Sequence, residues 1–130
     1  MPVTKDFRGT GVAMVTPFKK DGSVDFTSLE KLTNHLIGGS VDYLVVQGTT
    51  GESATLNDTE KQEVLDCEVK VNAGRIPIVF GHGGNNTKAL IDGFSNINLT
   101  GVDAILSASP YYNKPTQAGI IAHFTALADA

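Results

Sequence analysis

The regular alternation of apolar runs with helical patterns constrains the fold of this chain more than any other feature. Four short runs, rich in aliphatic and β-branched residues and bounded by glycine or proline, are typical of buried strands in a parallel sheet. A segment with apolar residues at helical spacing follows each of them. The strands are predicted at 11–18, 42–48, 76–81 and 102–108, and the helices at 26–39, 57–75, 86–101 and 116–130. This order predicts four βα units, repeated about every 30 residues.

Two α/β architectures fit this rhythm. A flavodoxin-like doubly wound sheet has about the length of this chain, which is 130 residues, but it requires a fifth strand. A (β/α)₈ barrel has the same repeat but requires about 250 residues. We therefore predict an α/β fold, a TIM (β/α)₈ barrel, in which residues 1–130 form the N-terminal half of the catalytic domain and the remainder is absent from this chain. The alternative is a half-barrel that self-associates as a binding or structural module, because both of its sheet edges would be open.

Composition excludes several classes of function. The net charge is −4 without any block of basic residues, so we expect no nucleic-acid partner. No apolar run approaches the roughly 20 residues that span a bilayer, and residues 1–10 lack the apolar region of a signal peptide, so we expect a cytoplasmic protein without membrane contact. The single cysteine, Cys67, leaves no disulfide within the chain, and its helical flanks predict a buried or half-buried thiol. No ligand spacing supports a metal site.

The clearest functional candidate is the turn after the second strand, Gly-Thr-Thr-Gly-Glu-Ser at 48–53. In both architectures chemistry belongs at the carboxyl ends of the strands. Glycines let the backbone approach a ligand closely, and the hydroxyl and N–H groups of Thr49 and Thr50 can converge on an anion beside a helix start. A carboxylate or a phosphate fits, although no lysine follows at the Walker spacing. The alternative is a plain turn in which Ser53 or Thr55 caps the next helix.

Two further strand ends carry candidate side chains. Residues 81–86 do not match a dinucleotide fingerprint and are interpreted as a glycine-rich turn. Within it, His82 is either an acid–base group or a structural histidine. Residues 107–115 form a stiff loop in which Tyr111 and Tyr112 lie between two prolines. A tyrosine there can relay a proton or bind a carboxylate, and the alternative is packing against a partner or a neighbouring loop.

Four motifs together resemble a known family. GTGVAMVTPF, GTTGESATLN, GRIPIVFGHGGNNT and SPYYNKPTQAGIIAHF occur in this order from about residue 9 to the end. They resemble the N-terminal half of the dihydrodipicolinate synthase family, which groups with N-acetylneuraminate lyase among the pyruvate-dependent class I aldolases. The pair GTTGES and PYYNKP is specific. Neuraminate lyases usually carry Ser-Thr where this chain has Thr49 and Thr50, so the synthase is favoured over a neuraminate lyase or another pyruvate-dependent aldolase.

The resemblance implies a lyase of lysine biosynthesis, a barrel assembled as a tight dimer or tetramer. Pyruvate would form a Schiff base with a barrel lysine, and its enamine would attack L-aspartate-4-semialdehyde, after which the product cyclises. By their match to the family motifs, Thr50 would hold the pyruvate carboxylate and Thr49 would join a Tyr–Thr–Tyr proton relay. Tyr112 would be the relay tyrosine that reaches into the site of the neighbouring subunit. No cofactor is implied other than the Schiff-base lysine.

Other matches fall on an interface pocket where many members bind lysine as a feedback inhibitor. The matching residues are Ser53, Ala54, Asn85 and Tyr111. Three positions, Asp58, Lys61 and Ala89, differ from the His, His and Glu of strongly lysine-sensitive members. Strong inhibition by lysine is therefore not expected.

The resemblance also implies which groups the chain lacks. In the family the Schiff-base lysine lies on the sixth strand, and the second relay tyrosine lies on the fifth, followed by an arginine for the semialdehyde carboxylate. All three fall outside residues 1–130. The lysines of this chain lie in polar or helical contexts, and none lies in a strand interior, where desolvation would lower the amine pKa enough for attack on a carbonyl. We therefore expect the isolated chain to be inactive.

Overall fold

The computed structural model describes residues 5–130, which form a parallel sheet of four strands with four α-helices. Strands β1 to β4 are Gly11–Ala13, Tyr43–Val46, Ile78–Gly81 and Ala104–Leu106. Helices α1 to α4 are Phe26–Gly38, Asp58–Asn72, Thr87–Phe94 and Gln117–Ala128. The strand order is β1-β2-β3-β4. A doubly wound sheet reverses its strand order at a switch point, so the sequential order found here favours the barrel.

Side-chain caps fix where the first two helices begin. Asp25 caps α1, since its carboxylate accepts the N–H of Ser28 at 3.0 Å. Asn57 caps α2 in a reciprocal capping box with Glu60. The interpretation in which Ser53 or Thr55 caps α2 is therefore wrong. Those two residues form a separate single-turn 3₁₀ helix that ends before Asn57.

Helix α3 is shorter than its sequence pattern predicts. It ends at Phe94, whereas the pattern continued to residue 101. Asparagine side chains bind nearby backbone groups after this point. Asn96 donates to the carbonyl of Asp92 at 3.2 Å, and Asn98 accepts the N–H of Thr100 at 3.1 Å. Such local bonds compete with helical ones and end the helix early.

The two sides of the sheet differ in how well the chain covers them. Parallel pairing places Leu44 beside Ile78, and Val46 beside Phe80, on what we call the helix-facing side. These four side chains are buried and form one cluster with apolar residues of α1 and α2, including Leu29 and Leu65. The opposite, open side carries Ala13, Val45, Val79 and Leu106, and Val15 continues the alternation two residues after β1. Its edges are exposed, with Val15 at 50% and Leu106 at 51%.

A buried carboxyl group lies between α1 and α2. Glu68 is 0% exposed, and its Oε2 lies 2.7 Å from the hydroxyl of Thr33, which also lies 2.9 Å from the carbonyl of Leu29. A threonine hydroxyl has one proton, so both contacts are hydrogen bonds only if Glu68 is protonated and donates to Thr33. Burial raises the pKa of Glu68 to about 7, which agrees with a neutral carboxyl.

The buried face of α2 is rotated from the predicted stripe. Apolar residues at helical spacing predict a stripe of Val64, Cys67 and Val71, whereas the buried residues are Val64, Leu65, Glu68 and Asn72. Cys67 is half-buried, which confirms the prediction for its thiol. Burial raises the pKa of that thiol. Across residues 5–130, none of the helices combines the length and the apolar character needed to cross a bilayer.

Candidate active site

The predicted site residues lie where the strands end at their carboxyl edge. Gly48 follows β2 and leads into a 3₁₀ turn over Thr49–Gly51. Within residues 5–130, neither threonine hydroxyl of this turn makes a hydrogen bond, and both Thr49 and Thr50 are exposed. The turn thus presents two adjacent hydroxyls to the space beyond the strand ends, as a small carboxylate would require.

A buried threonine of the neighbouring strand fixes this turn. The hydroxyl of Thr16, which follows β1, donates to the carbonyl of Gly51 at 2.6 Å. Gly51 is buried, and a Cβ built there would lie 3.2 Å from the carbonyl oxygen of Met14. The site therefore depends on Thr16, for which the sequence gives one signal, a hydroxyl at the end of an apolar run.

Gln47 is a second residue whose importance emerges only in three dimensions. It is 4% exposed, adopts a left-handed backbone with φ of 60°, and directly precedes the Gly48 turn. Its two carboxamide atoms are buried and have no partner within residues 5–130. A buried amide normally has hydrogen-bond partners. In the sequence, the signal for this position is a polar residue directly after the apolar pair Val45-Val46 and before Gly48.

The loops after β3 and β4 pair with each other. The N–H of His82 donates to the carbonyl of Leu106 at 2.9 Å, continuing the strand ladder. A Cβ on Gly83 would lie 2.9 Å from the amide nitrogen of Ala108, so glycine permits this approach. Asn85 then bonds to both peptide groups of Tyr111. Two of the predicted interface residues, Asn85 and Tyr111, are thus in direct contact.

Tyr112 has the most unusual backbone of the predicted site residues. Its φ is 72°, and the residue is 91% exposed. The N–H of Asn113 donates to the carbonyl of Tyr111 at 3.0 Å, which closes a three-residue turn around Tyr112. A turn of this kind with positive φ at its centre is rare and strained. Strain of this kind clusters at functional sites.

Ser53 and Ala54 lie in the second 3₁₀ turn, Ser53–Thr55, next to Thr49 and Thr50 in the chain. Ser53 is half-buried and Ala54 is exposed. Tyr112 makes no hydrogen bond to Thr49 within residues 5–130. The chain therefore assembles two groups of predicted residues, one after β2 and one spanning the loops after β3 and β4, without joining Thr49 to Tyr112.

Two of the three histidines, His82 and His123, have structural roles. Nε2 of His82 donates to the carbonyl of Leu90 in α3 at 2.8 Å, and its ring lies against Phe80 and Phe94. His82 is therefore the structural histidine of the two interpretations. His123 is buried in α4, with Nδ1 2.7 Å from the hydroxyl of Thr87 at the start of α3. Both rings hold helix α3 in place.

The lysines of residues 5–130 lie outside the strands. The described lysines are exposed except Lys61, which is half-buried in α2 and pairs with Asp58 at 3.5 Å. None lies in one of the four strands. That residues 1–130 supply no Schiff-base lysine stays a prediction.

Known proteins resemble the chain over nearly its whole length. Residues 6–130 match the model of the dihydrodipicolinate synthetase family. The 4-hydroxy-tetrahydrodipicolinate synthase of Flavobacterium psychrophilum is 53% identical over 124 residues, which are 95% of this chain and 42% of that relative.

Two solved structures show the same architecture. The chloride-inhibited dihydrodipicolinate synthase of Acinetobacter baumannii, complexed with pyruvate, has a TM-score of 0.90 and 43% identity, covering 96% of this chain and 43% of that one. The synthase of Cyanidioschyzon merolae with lysine bound has a TM-score of 0.86 and 41% identity, covering 96% and 43%.

The chain spans less than half the length of these relatives, and what it covers is the N-terminal part of their TIM barrel. The predicted fold class is thereby confirmed. The four βα units, the glycine-bounded threonine turn and the match over 6–130 agree with one another. This chain belongs to the dihydrodipicolinate synthetase family.

Proposed function

We propose that the chain is the N-terminal half of a 4-hydroxy-tetrahydrodipicolinate synthase, a pyruvate-dependent lyase of lysine biosynthesis. The observation that carries the proposal is the pair of exposed hydroxyls of Thr49 and Thr50, on a turn that Thr16 fixes from within the fold. The name shared by the most similar relatives supports the same assignment. As in other members, we expect the protein to be cytoplasmic.

The rest of the barrel would complete the site. At the β4 edge, Ile105 and Leu106 remain exposed, and an apolar groove lined by Leu99, Phe124 and Leu127 adjoins them. A fifth βα unit packed there would bury this surface and close the sheet edge. In this proposal residues 1–130 belong to a single catalytic domain, and the later strands provide the Schiff-base lysine.

In the proposed reaction, the lysine amine condenses with the ketone of pyruvate and releases water. The resulting enamine then forms a carbon–carbon bond with the aldehyde carbon of L-aspartate-4-semialdehyde. Thr50 holds the pyruvate carboxylate by hydrogen bonding, which orients the reacting carbon. Thr49 passes a proton between relay tyrosines, a role that requires hydrogen-bond reach on both sides.

Tyr112 would complete this relay across a tight dimer. Within residues 5–130 its hydroxyl makes no hydrogen bond to Thr49, and the residue is 91% exposed on a strained turn. A second subunit that covers the ring would explain both features, because strain persists where surrounding contacts compensate for it. We therefore propose a homo-oligomer, a tight dimer or a tetramer of such dimers. Ser53, Ala54, Asn85 and Tyr111 would lie beside this interface and form a weak lysine-binding pocket.

The first test is covalent trapping in the full-length protein that carries this sequence. Incubation with pyruvate and borohydride should add one reduced pyruvate per subunit, detected by intact mass. Thr50→Val should raise KM for pyruvate by roughly tenfold to a hundredfold, since a hydrogen bond to a charged group contributes about 1.5–3 kcal/mol. The matched control is Thr59→Val, an exposed threonine in α2, which should leave KM unchanged.

The acceptor distinguishes the synthase from its relatives. Turnover with L-aspartate-4-semialdehyde and none with sugar acids supports the proposal, whereas the reverse indicates a neuraminate lyase or another keto-acid aldolase. A protein of 13.7 kDa that forms a stable oligomer without any adduct would instead be a non-catalytic half-barrel. Turnover by the 130-residue chain alone would contradict the absence of a nucleophile.

A further inference from the structure

The loops after β3 and β4 are joined by one side chain next to the strained tyrosine. We propose that Asn85 is a positioning residue that holds Tyr112 in its strained turn and so aims its hydroxyl for proton transfer. The catalytic part of this proposal rests on the proposed function, whereas the geometric part stands on the chain itself. It is distinct from the match of Asn85 to an inhibitor pocket.

The carboxamide of Asn85 bonds to both backbone groups of Tyr111, its N–H and its carbonyl. Its Oδ1 accepts the N–H of Tyr111 at 2.8 Å, and its Nδ2 donates to the carbonyl of Tyr111 at 3.2 Å. Both hydrogen-bonding groups of Tyr111 are therefore held by one planar side chain, in the manner of a strand pair. No other side-chain type offers a donor and an acceptor in this arrangement except glutamine, which is one methylene longer.

This grip lies at the first residue of the strained turn. The carbonyl of Tyr111 also accepts the N–H of Asn113 at 3.0 Å, which places Tyr112 at the centre with φ of 72°. A tyrosine at positive φ relaxes unless surrounding contacts fix it. Asn85 fixes the peptide groups on which this turn is built, so within residues 5–130 it is the side chain that supports the strained turn.

The remaining contacts between the two loops lie farther from Tyr112. The N–H of His82 bonds to Leu106, and Gly83 packs against Ala108. They form the base of the loop pair, and Asn85 forms its outer end. Loss of Asn85 should therefore release residues 111–113 and leave the base intact.

Substitutions at Asn85 test the two bonds separately. Asn85→Asp keeps an acceptor for the N–H of Tyr111 but directs a second oxygen at the Tyr111 carbonyl. Asn85→Ala removes both bonds. The matched control is Asn86→Asp, the same change one residue later. Asn86 caps α3 by accepting the N–H of Ala89 at 3.1 Å, and aspartate caps a helix equally well.

The kinetic test uses the full-length protein without lysine in the assay. We expect Asn85→Ala to lower kcat on the order of tenfold, because small misplacements of a reacting group slow catalysis strongly. KM for pyruvate and the borohydride-trapped adduct should not change, since the pyruvate turn follows β2. In a Tyr112→Phe background, Asn85→Ala should lower kcat less than about twofold further, because both changes act on one group.

Equal losses of kcat in the two backgrounds would overturn the proposal, since Asn85 would then act independently of Tyr112. An unchanged kcat in Asn85→Ala would overturn it as well. A merely structural role would reduce the trapped adduct together with the rate.

Amide hydrogen exchange tests whether Asn85 holds Tyr111, and this measurement does not require catalytic activity. The amide of Tyr111 should exchange on the order of tenfold faster in Asn85→Ala than in the wild type or in Asn86→Asp. An unchanged exchange rate of the Tyr111 amide would show that its hydrogen bonds to Asn85 do not form in solution. If the wild type fails to condense pyruvate with the semialdehyde, the proposed function and the proton-transfer role fall together. The exchange result still supports or overturns the hold on Tyr112.

Discussion

The two sides of the sheet contrast in what the chain provides for them. On the helix-facing side, Leu44, Ile78 and Phe80 pack against α1 and α2 and are buried. On the open side and at the carboxyl edge, Val15, Leu106 and Tyr112 remain at least half exposed. The helix-facing side thus forms a closed hydrophobic core, which we call the finished core. The open side and the carboxyl edge carry apolar and candidate functional groups that remain exposed.

In the proposed full barrel, this contrast identifies the groups that the later strands would cover. The helix-facing core forms between neighbouring βα units, because each helix packs against the strands beside it. The interior of a barrel closes only when all strands are present. The candidate site lies at the carboxyl edge of the sheet, where local contacts such as that of Thr16 with Gly51 place its residues. In the proposed function, later strands and a second subunit would supply their partners.

The sharpest test of the contrast is one substitution made on both sides. Leu44→Ala should lower the free energy of unfolding by about 4 kcal/mol, since it leaves a cavity in the finished core. Leu106→Ala should cost under about 1 kcal/mol in the 130-residue chain, because half of that side chain is already exposed. Urea unfolding followed by circular dichroism measures both.

The same substitution sharpens the comparison in the full-length protein. There Leu106→Ala should cost clearly more than in the 130-residue chain, because in the proposed barrel the following strands would bury it. Equal costs for Leu44→Ala and Leu106→Ala in the short chain would show that the open side is covered without the rest of the barrel.

The second prediction concerns pH and the finished core. The pKa of Glu68 is raised to about 7 in the folded chain from 4.5, so between these values the folded state keeps a proton that the unfolded state has lost. Its stabilising contribution is complete below about pH 4.5 and is lost as the pH rises through 7, amounting to about 3 kcal/mol. Urea midpoints of the full-length protein from pH 4.5 to 8 should show this loss.

Glu68→Gln removes the ionisation and should remove this part of the pH dependence. The control is Glu63→Gln, an exposed glutamate of the same helix, which should keep the loss. A Glu68→Gln protein whose stability falls with pH as much as the wild type would show that Glu68 is ionised in the folded state. The hydrogen-bond assignment to Thr33 would then be wrong.

The smallest expected effect is at Thr16, just beyond the carboxyl end of β1. Thr16→Val keeps the shape of the side chain but removes the hydrogen bond to Gly51, at a cost of about 1 kcal/mol in unfolding free energy. Because that bond fixes the threonine turn, KM for pyruvate should rise several-fold as well. Steady-state kinetics beside urea unfolding separates the two effects. A loss of stability without any change in KM would mean that other contacts hold the turn.

Much of the fold and part of the site could be predicted from the sequence. Apolar runs and helical spacing located all four βα units, because periodicity reflects burial directly. The glycine-bounded threonines and the paired tyrosines stood out through their residue types. Gln47, Thr16 and the end of α3 did not, since a buried amide, a buried hydroxyl and local asparagine bonds acquire meaning through neighbours distant in sequence or geometry.

The sequence by itself determined the order of the elements, the family and the identity of the candidate hydroxyls. These follow from local patterns that the chain carries wherever it folds. Only the tertiary structure decided that Asn85 grips Tyr111, that Tyr112 is strained and exposed, and that Glu68 is buried beside Thr33. Each of these depends on contacts between segments that come together only in the folded chain. Burial, hydrogen bonding and strain are set by such tertiary contacts and not by single residues.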